Sequence, residues 1–210
     1  PSPSALQELL NVCCKYADMF ELKYNVKKTE CMVVKPKWLK SICNPVFYLN
    51  GRNLDFTSCK KYLGCFITDD MSDDNDMKRQ LRSVYARGNM LISKFRHCSE
   101  DVKVKLFKSF CSSFYCCNLW SSYKKQSQSK LQVAYKQIFR SFFKCKRAGT
   151  TAQMLCFTID SYDVIRRKLI FGFRERIYQS ANILINAVIH SSHFMSTSVY
   201  NEWNSTLFKL

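Results

Sequence analysis

The chain has 210 residues, 47% of them hydrophobic, with 33 Lys and Arg against 16 Asp and Glu for a formal net charge of +17. That length allows one large or two small folded units, and that apolar content excludes a disordered tail. Residues 1–76 hold ten bases and ten acids, so the whole excess lies in residues 77–210, an asymmetry that points to a polyanionic partner, nucleic acid before an anionic membrane surface.

In chain order, Ser4 to Leu22 reads as an amphipathic helix capped by Ser4, with Leu6, Leu9, Leu10, Cys13, Ala17 and Phe20 on one face. Glu30 to Lys35 is a short buried-type strand, stopped by Pro36. Val46–Leu49 and Leu54–Phe56 flank Asn50-Gly51, the dipeptide that best supplies the two positive φ angles of a type I′ hairpin turn. Lys60 to Ile67 reads as a third strand-like run, in which Gly64 lets another backbone or a ligand come close. Asp69, Asp70, Asp73, Asp74 and Asp76 precede a helix, so they read as caps and dipole complements rather than as paired catalytic carboxylates.

From there the pattern is helical. Asn75 to Arg96 buries Leu81, Val84, Tyr85, Leu91, Ile92 and Phe95. A second helix is expected from Ser99 to about Tyr123, its second half, Phe114 to Trp120, apolar on most sides and buried. A third opens at Ser127 or Ser129 and runs through Phe143, with Leu131, Tyr135, Ile138 and Phe142 inward. Ala148 to Thr151 is a break, and Asp160-Ser161 caps a long helix through about Ile189 before a polar end closing with Trp203. The aromatics Phe107, Phe110, Phe114, Tyr135 and Phe139 have the spacing of a core stripe rather than of base-stacking platforms. The fold class is therefore α+β: helix, strand, β-hairpin and strand in a small sheet, then a mainly helical bundle. Its parts fall at 1–70, 71–147 and 148–210.

Twelve cysteines in 210 residues are fewer than a secreted disulfide scaffold carries, and they sit among Phe, Leu and Trp. Cys111, Cys116 and Cys117 read as small hydrophobes, and no C-x-x-C pair gives a structural zinc spacing. An intracellular protein, cytoplasmic or nuclear, is expected. No run approaches the roughly 20 apolar residues of a membrane span, so no membrane partner is expected. The start at Pro1, without methionine, reads as a piece of something longer.

The order Leu6 to Cys13 (LQELLNVC), Tyr24 to Met32 (YNVKKTECM), Lys61 to Gly64 (KYLG) and Tyr115 to Trp120 (YCCNLW) resembles the reverse transcriptases of non-LTR, LINE-type retrotransposons across nearly the whole chain. The resemblance makes Ser4 to Lys35 the palm helix and strand of motif D, Tyr62-Leu63-Gly64 the primer grip of motif E, and the basic helices after Asp76 a thumb. It gives Lys28 the role of the motif D lysine, which acts on the leaving pyrophosphate or the incoming nucleotide. Tyr62, Leu63 and Gly64 would press on the primer end. Lys78, Arg79, Arg82 and Arg87, then Lys103, Lys105 and Lys108, with Lys124 and Lys125, would lie along a template-primer duplex. Tyr16-Ala17-Asp18-Met19 is no substitute for the family's Y-A-D-D motif: it lies on a helix and lacks the second Asp. Two-metal phosphoryl transfer needs carboxylates converging from separate strands.

The expected function is thus a fragment of an RNA-directed DNA polymerase that holds RNA template and DNA primer. The missing fingers and palm of the parent polypeptide would bring the catalytic carboxylates. No metal or cofactor is expected in this chain, and Mg2+ only in the complete polymerase. The alternative is a non-catalytic basic helical module, a repurposed remnant that binds nucleic acid or an acidic protein on its own account.

Overall fold

The structure, a computed structural model, describes residues 2–34 and 44–208. Lys35 and Pro36, the expected end and stop of the first strand, lie outside them. The fold is α+β, short strands paired two by two and then a helical bundle, and the chain divides into two compact units, Pro1–Ser72 and Asp73–Leu210.

In the first unit α1 spans Pro3–Met19. Its cap is Ser2 rather than Ser4: Ser2 Oγ accepts from the Ala5 N–H at 3.2 Å, and Pro3 takes the first turn, where a missing N–H costs nothing. Of the expected apolar stripe, Ala17 is fully buried and Leu10 packs on a small core of Phe47, Leu49 and Leu54, whereas Leu6, Leu9 and Phe20 are exposed. The helix packs on a hairpin whose strands are two residues long, too little surface to cover the whole stripe. Gln7 extends that contact by pairing like a strand edge, its Nε2 donating to Tyr48 O at 3.0 Å and its Oε1 accepting from Tyr48 N at 2.8 Å.

Strand β1, Glu30–Cys31, runs parallel to β4, Asp55–Phe56. Between them in sequence, β2, Tyr48–Leu49, and β3, Arg52–Asn53, form a separate antiparallel hairpin about Asn50-Gly51, whose φ values of 50° and 71° are those of a type I′ turn. Lys60 to Ile67 is a second hairpin and not one strand: β5, Cys59–Tyr62, turns at Leu63-Gly64 into β6, Cys65–Thr68. There φ is 46° at Leu63 and 89° at Gly64, so the glycine meets a turn requirement and the leucine sits in a region L-residues seldom adopt.

The second unit contains α2 (Asp74–Phe95), α3 (Glu100–Cys111), α4 (Lys125–Phe143), α5 (Thr150–Cys156), α6 (Tyr162–Tyr178), α7 (Ile183–Ile189) and α8 (Ser198–Leu207). α2 packs most extensively against α4. Val84 and Leu91 of α2 meet Leu131, Tyr135, Ile138 and Phe142 of α4 in a core that also takes Phe107, Phe114, Phe139 and Trp120. Phe110, expected in that stripe, is exposed. A separate core gathers Ile170, Ile189, Phe194 and Trp203.

Four helix boundaries in this unit differ from expectation. α4 starts at Lys125, so Ser127 and Ser129 lie inside it and neither caps it. α3 stops at Cys111, and residues 112–124 are irregular, with Cys116 half-buried at φ 66°. The expected break at Ala148 to Thr151 is a 3-10 turn, Arg147–Gly149, from which α5 starts at Thr150. The long helix from Ser161 is interrupted after Tyr178, because Asn182 Oδ1 accepts from Leu184 N at 2.9 Å and Ile185 N at 3.3 Å and so restarts the chain as α7. Among the described residues no helix is long and apolar enough to cross a membrane.

Candidate nucleic-acid interface

The basic residues of α2 divide by position on the helix. Lys78 and Arg82, one turn apart, are exposed, Lys78 within the electrostatic reach of Asp74. Arg82 makes no hydrogen bond or ion pair among the described residues. Arg79 and Arg87 turn the other way, toward residues 113–115. Arg79 Nε and Nη2 donate to the carboxylate of Asp76 at 2.7 and 3.1 Å, and Nη2 also reaches Tyr115 O at 3.4 Å. Arg87 donates from Nη2 to Ser113 O at 2.9 Å and from Nε to Ser83 O at 3.2 Å. Burial, and then the neighbouring Arg79, lower the Arg87 pKa from its ordinary value. The structure therefore brings Arg79 and Arg87 together as fasteners of an irregular segment, where the sequence places them beside Lys78 and Arg82 on a duplex-facing side.

Asp76 is the centre of that fastening. Only 2% exposed, it takes the Arg79 guanidinium and also accepts from Trp120 Nε1 at 2.9 Å. Gln80, equally buried, donates from Nε2 to Ser113 O at 2.9 Å. Backbone groups that a continued helix would have paired internally are thus paired by α2 side chains. The other two aspartates at the start of α2 act similarly. Asp73 occupies the cap position without capping the helix. Its Oδ2 accepts instead from Ser121 N and Ser122 N, both at 2.7 Å. Burial raises its pKa above the ordinary value, against the pull of those two N–H groups. Asp74 Oδ1 accepts from Ser127 Oγ at 2.6 Å and Lys124 N at 3.1 Å, anchoring the start of α4.

On α3, Lys105 is exposed, Lys103 is half-buried with Nζ 5.8 Å from the Phe142 ring centroid, and Lys108 Nζ donates to Thr158 Oγ1 at 2.7 Å. Lys124 and Lys125 are exposed where α4 begins. In the first unit Lys28 is exposed at the end of a 3-10 turn, Val26–Lys28. An open hollow of about 730 Å3 has Lys23, Lys27 and Arg52 on its wall, so it is Lys27 that faces the hollow. Tyr62 and Leu63 project at the β5–β6 tip, 61% and 74% exposed.

Among the described residues no three His, Cys, Asp or Glu side chains converge as a metal site. Sequence reasoning missed the Asp76–Trp120 bond and a cluster at α6 and α8. In that cluster Glu202 Oε1 accepts from Tyr123 OH at 2.7 Å and Arg166 Nη2 at 2.8 Å. Their partners are 44, 79 and 36 residues apart, beyond the range of any periodicity. Comparison with protein-family models, curated proteins and solved structures finds no match to this chain.

Proposed function

We propose that this chain is the duplex-holding part of an RNA-directed DNA polymerase of the non-LTR retrotransposon kind, joined in the working enzyme to fingers and to a palm that carries the catalytic carboxylates. The observation that carries this reading is the exposed cations on helices of the basic unit: Arg82 and Lys78 on α2 and Lys105 on α3. Such groups hold phosphates without reading sequence, as a template-primer duplex requires. The α1 face supports it too. Leu9, Val12, Tyr16 and Met19 recur along one side and are 55% to 77% exposed, as expected of a helix that the rest of a palm would cover. On this reading Lys28 and the Tyr62–Gly64 tip act only in the assembled polymerase, and the chain meets its partner inside the cell.

The test is fluorescence anisotropy with an RNA–DNA hybrid at several salt concentrations. With about five phosphates engaged, log K falls against log salt with a slope near −4 to −5. Lys78→Ala with Arg82→Ala reduces that slope by about 2 and weakens binding alike for every sequence. A flat salt response would sink the proposal. Nucleotide incorporation by this chain alone would refute the division of labour. The second reading, a self-sufficient basic module, gains from the two cores that the Asp73–Leu210 unit holds within itself. It predicts binding by residues 73–210 equal to that of the whole chain.

A further inference from the structure

A cavity of about 420 Å3 opens in the second unit among residues 121–128, α6 and α8. Lys125, Arg166 and Arg167 bring cations to its wall, Asp163 and Glu202 carboxylates, and Tyr123 a ring. Arg166 is 3% exposed. Its guanidinium lies 5.3 Å from the Tyr123 ring centroid, and Nη2 donates to Glu202 Oε1 at 2.8 Å. Its buried Nε has no hydrogen-bond partner among the described residues, an orphan donor on a charged group that such an interior rarely leaves.

The charges in the wall are unequally engaged. The Glu202 charge is offset by the Arg166 guanidinium at 2.8 Å, with Tyr123 OH and, at 3.2 Å, Thr206 Oγ1 donating to the same oxygen, Oε1. Asp163 accepts from Gln132 Nε2 at 2.6 Å through Oδ1, and among the described residues no hydrogen bond occupies its other oxygen. Lys125 and Arg167 are exposed and make no hydrogen bond or ion pair among the described residues. A guanidinium fork and an ammonium favour a phosphate, while an acceptor-only carboxylate favours a donor such as a sugar hydroxyl. The volume suits one small polar ligand.

We propose that this cavity receives a single ribonucleotide, its phosphate on Arg167 and Lys125 and its sugar hydroxyls at Asp163. Only the choice of nucleotide chemistry rests on the nucleic-acid reading above. Titration calorimetry of the full chain with AMP, dAMP and a 5′-phosphorylated RNA oligonucleotide tests it. The expected result is one ligand per chain, weakened about tenfold by Arg167→Ala and by Lys125→Ala. AMP is favoured over dAMP, and Asp163→Asn abolishes that preference. Binding of AMP and the oligonucleotide in competition marks a site for free nucleotide. Binding of the oligonucleotide alone, with the same sensitivity to both variants, marks a site for a strand end. Failure of both ligands at millimolar concentration, or binding indifferent to both variants, overturns the proposal. Duplex binding by the Lys78→Ala, Arg82→Ala variant is read separately, so either idea can fail while the other stands.

Discussion

Asp76 decides how much of the polar chemistry near the start of α2 is structural. A carboxylate 2% exposed, paired with Arg79 and accepting from Trp120, leaves a half-buried cation and a buried indole N–H when it is removed. Asp76→Ala should destabilise the second unit by about 3 kcal/mol, read as a shift of the urea midpoint followed by Trp120 fluorescence. An equal stability would show that the pair contributes nothing. Its neighbour Asp74 provides a pH signature. Burial pushes its carboxyl up, but the Ser127 hydroxyl and Lys124 N–H outweigh it and hold the pKa below the ordinary 3.8. A depressed folded pKa contributes stability that is present above the ordinary value and lost as pH falls through the lower folded one. The margin of wild type over Asp74→Asn should therefore be present at pH 7 and shrink below the ordinary value, in denaturation curves at both pH values. Asp73, raised by burial, slopes the opposite way, so the single variant is the informative measurement.

At the scale of elements, α2 and α4 can approach because Gly88 has no side chain. A Cβ there would lie 2.6 and 2.8 Å from Ile138 Cδ1 and Cγ1, and closer still to Cγ2. Helix propensity alone would reward Gly88→Ala by about 1 kcal/mol, but overpacking a filled core costs about 1–3 kcal/mol. Gly88→Ala should lower stability, and adding Ile138→Ala should cost less than the sum of the two single changes, because the second makes room for the first. Strict additivity in thermal melts would refute this close approach. The same competition between local and tertiary demands explains residues 112–124. The apolar run from Phe114 to Trp120 has helical composition, yet Gln80, Arg87 and Arg79 take the carbonyls of Ser113 and Tyr115. Asp73 takes the N–H groups of Ser121 and Ser122, and Phe114, Cys117 and Trp120 still reach the core.

For the whole molecule, the main core should protect its thiols. Burial pushes Cys111 up to about 11 and Cys117 up to about 12, which leaves almost no thiolate, the reactive form, at pH 8. Iodoacetamide at that pH should label the exposed Cys156 in the native chain and spare Cys111 and Cys117 until urea is added, as peptide mass spectrometry would register. Labelling of all three at one rate would mean that this core is open. Charge acts on the same scale. The +17 excess fixes no fold, but with Arg79 and Arg87 engaged internally the salt slope that the proposed duplex binding predicts must come from Lys78, Arg82 and the remaining exposed cations.

Sequence alone determined what depends on short-range pattern: the Asn50-Gly51 turn, whose backbone angles few other residues tolerate, the inward stripe of Leu131, Tyr135, Ile138 and Phe142, and the placing of the net charge. Tertiary structure decided what depends on distant partners. The stripe on α1 is half covered because only a small hairpin meets it. Leu63-Gly64 is a turn because β5 and β6 pair with each other, and Arg79 and Arg87 bind the chain's own carbonyls rather than stand in solvent. A periodicity shows which side of a helix is apolar or charged. Which groups compete for that side depends on residues 26 to 79 positions away, brought there by the burial of the whole core.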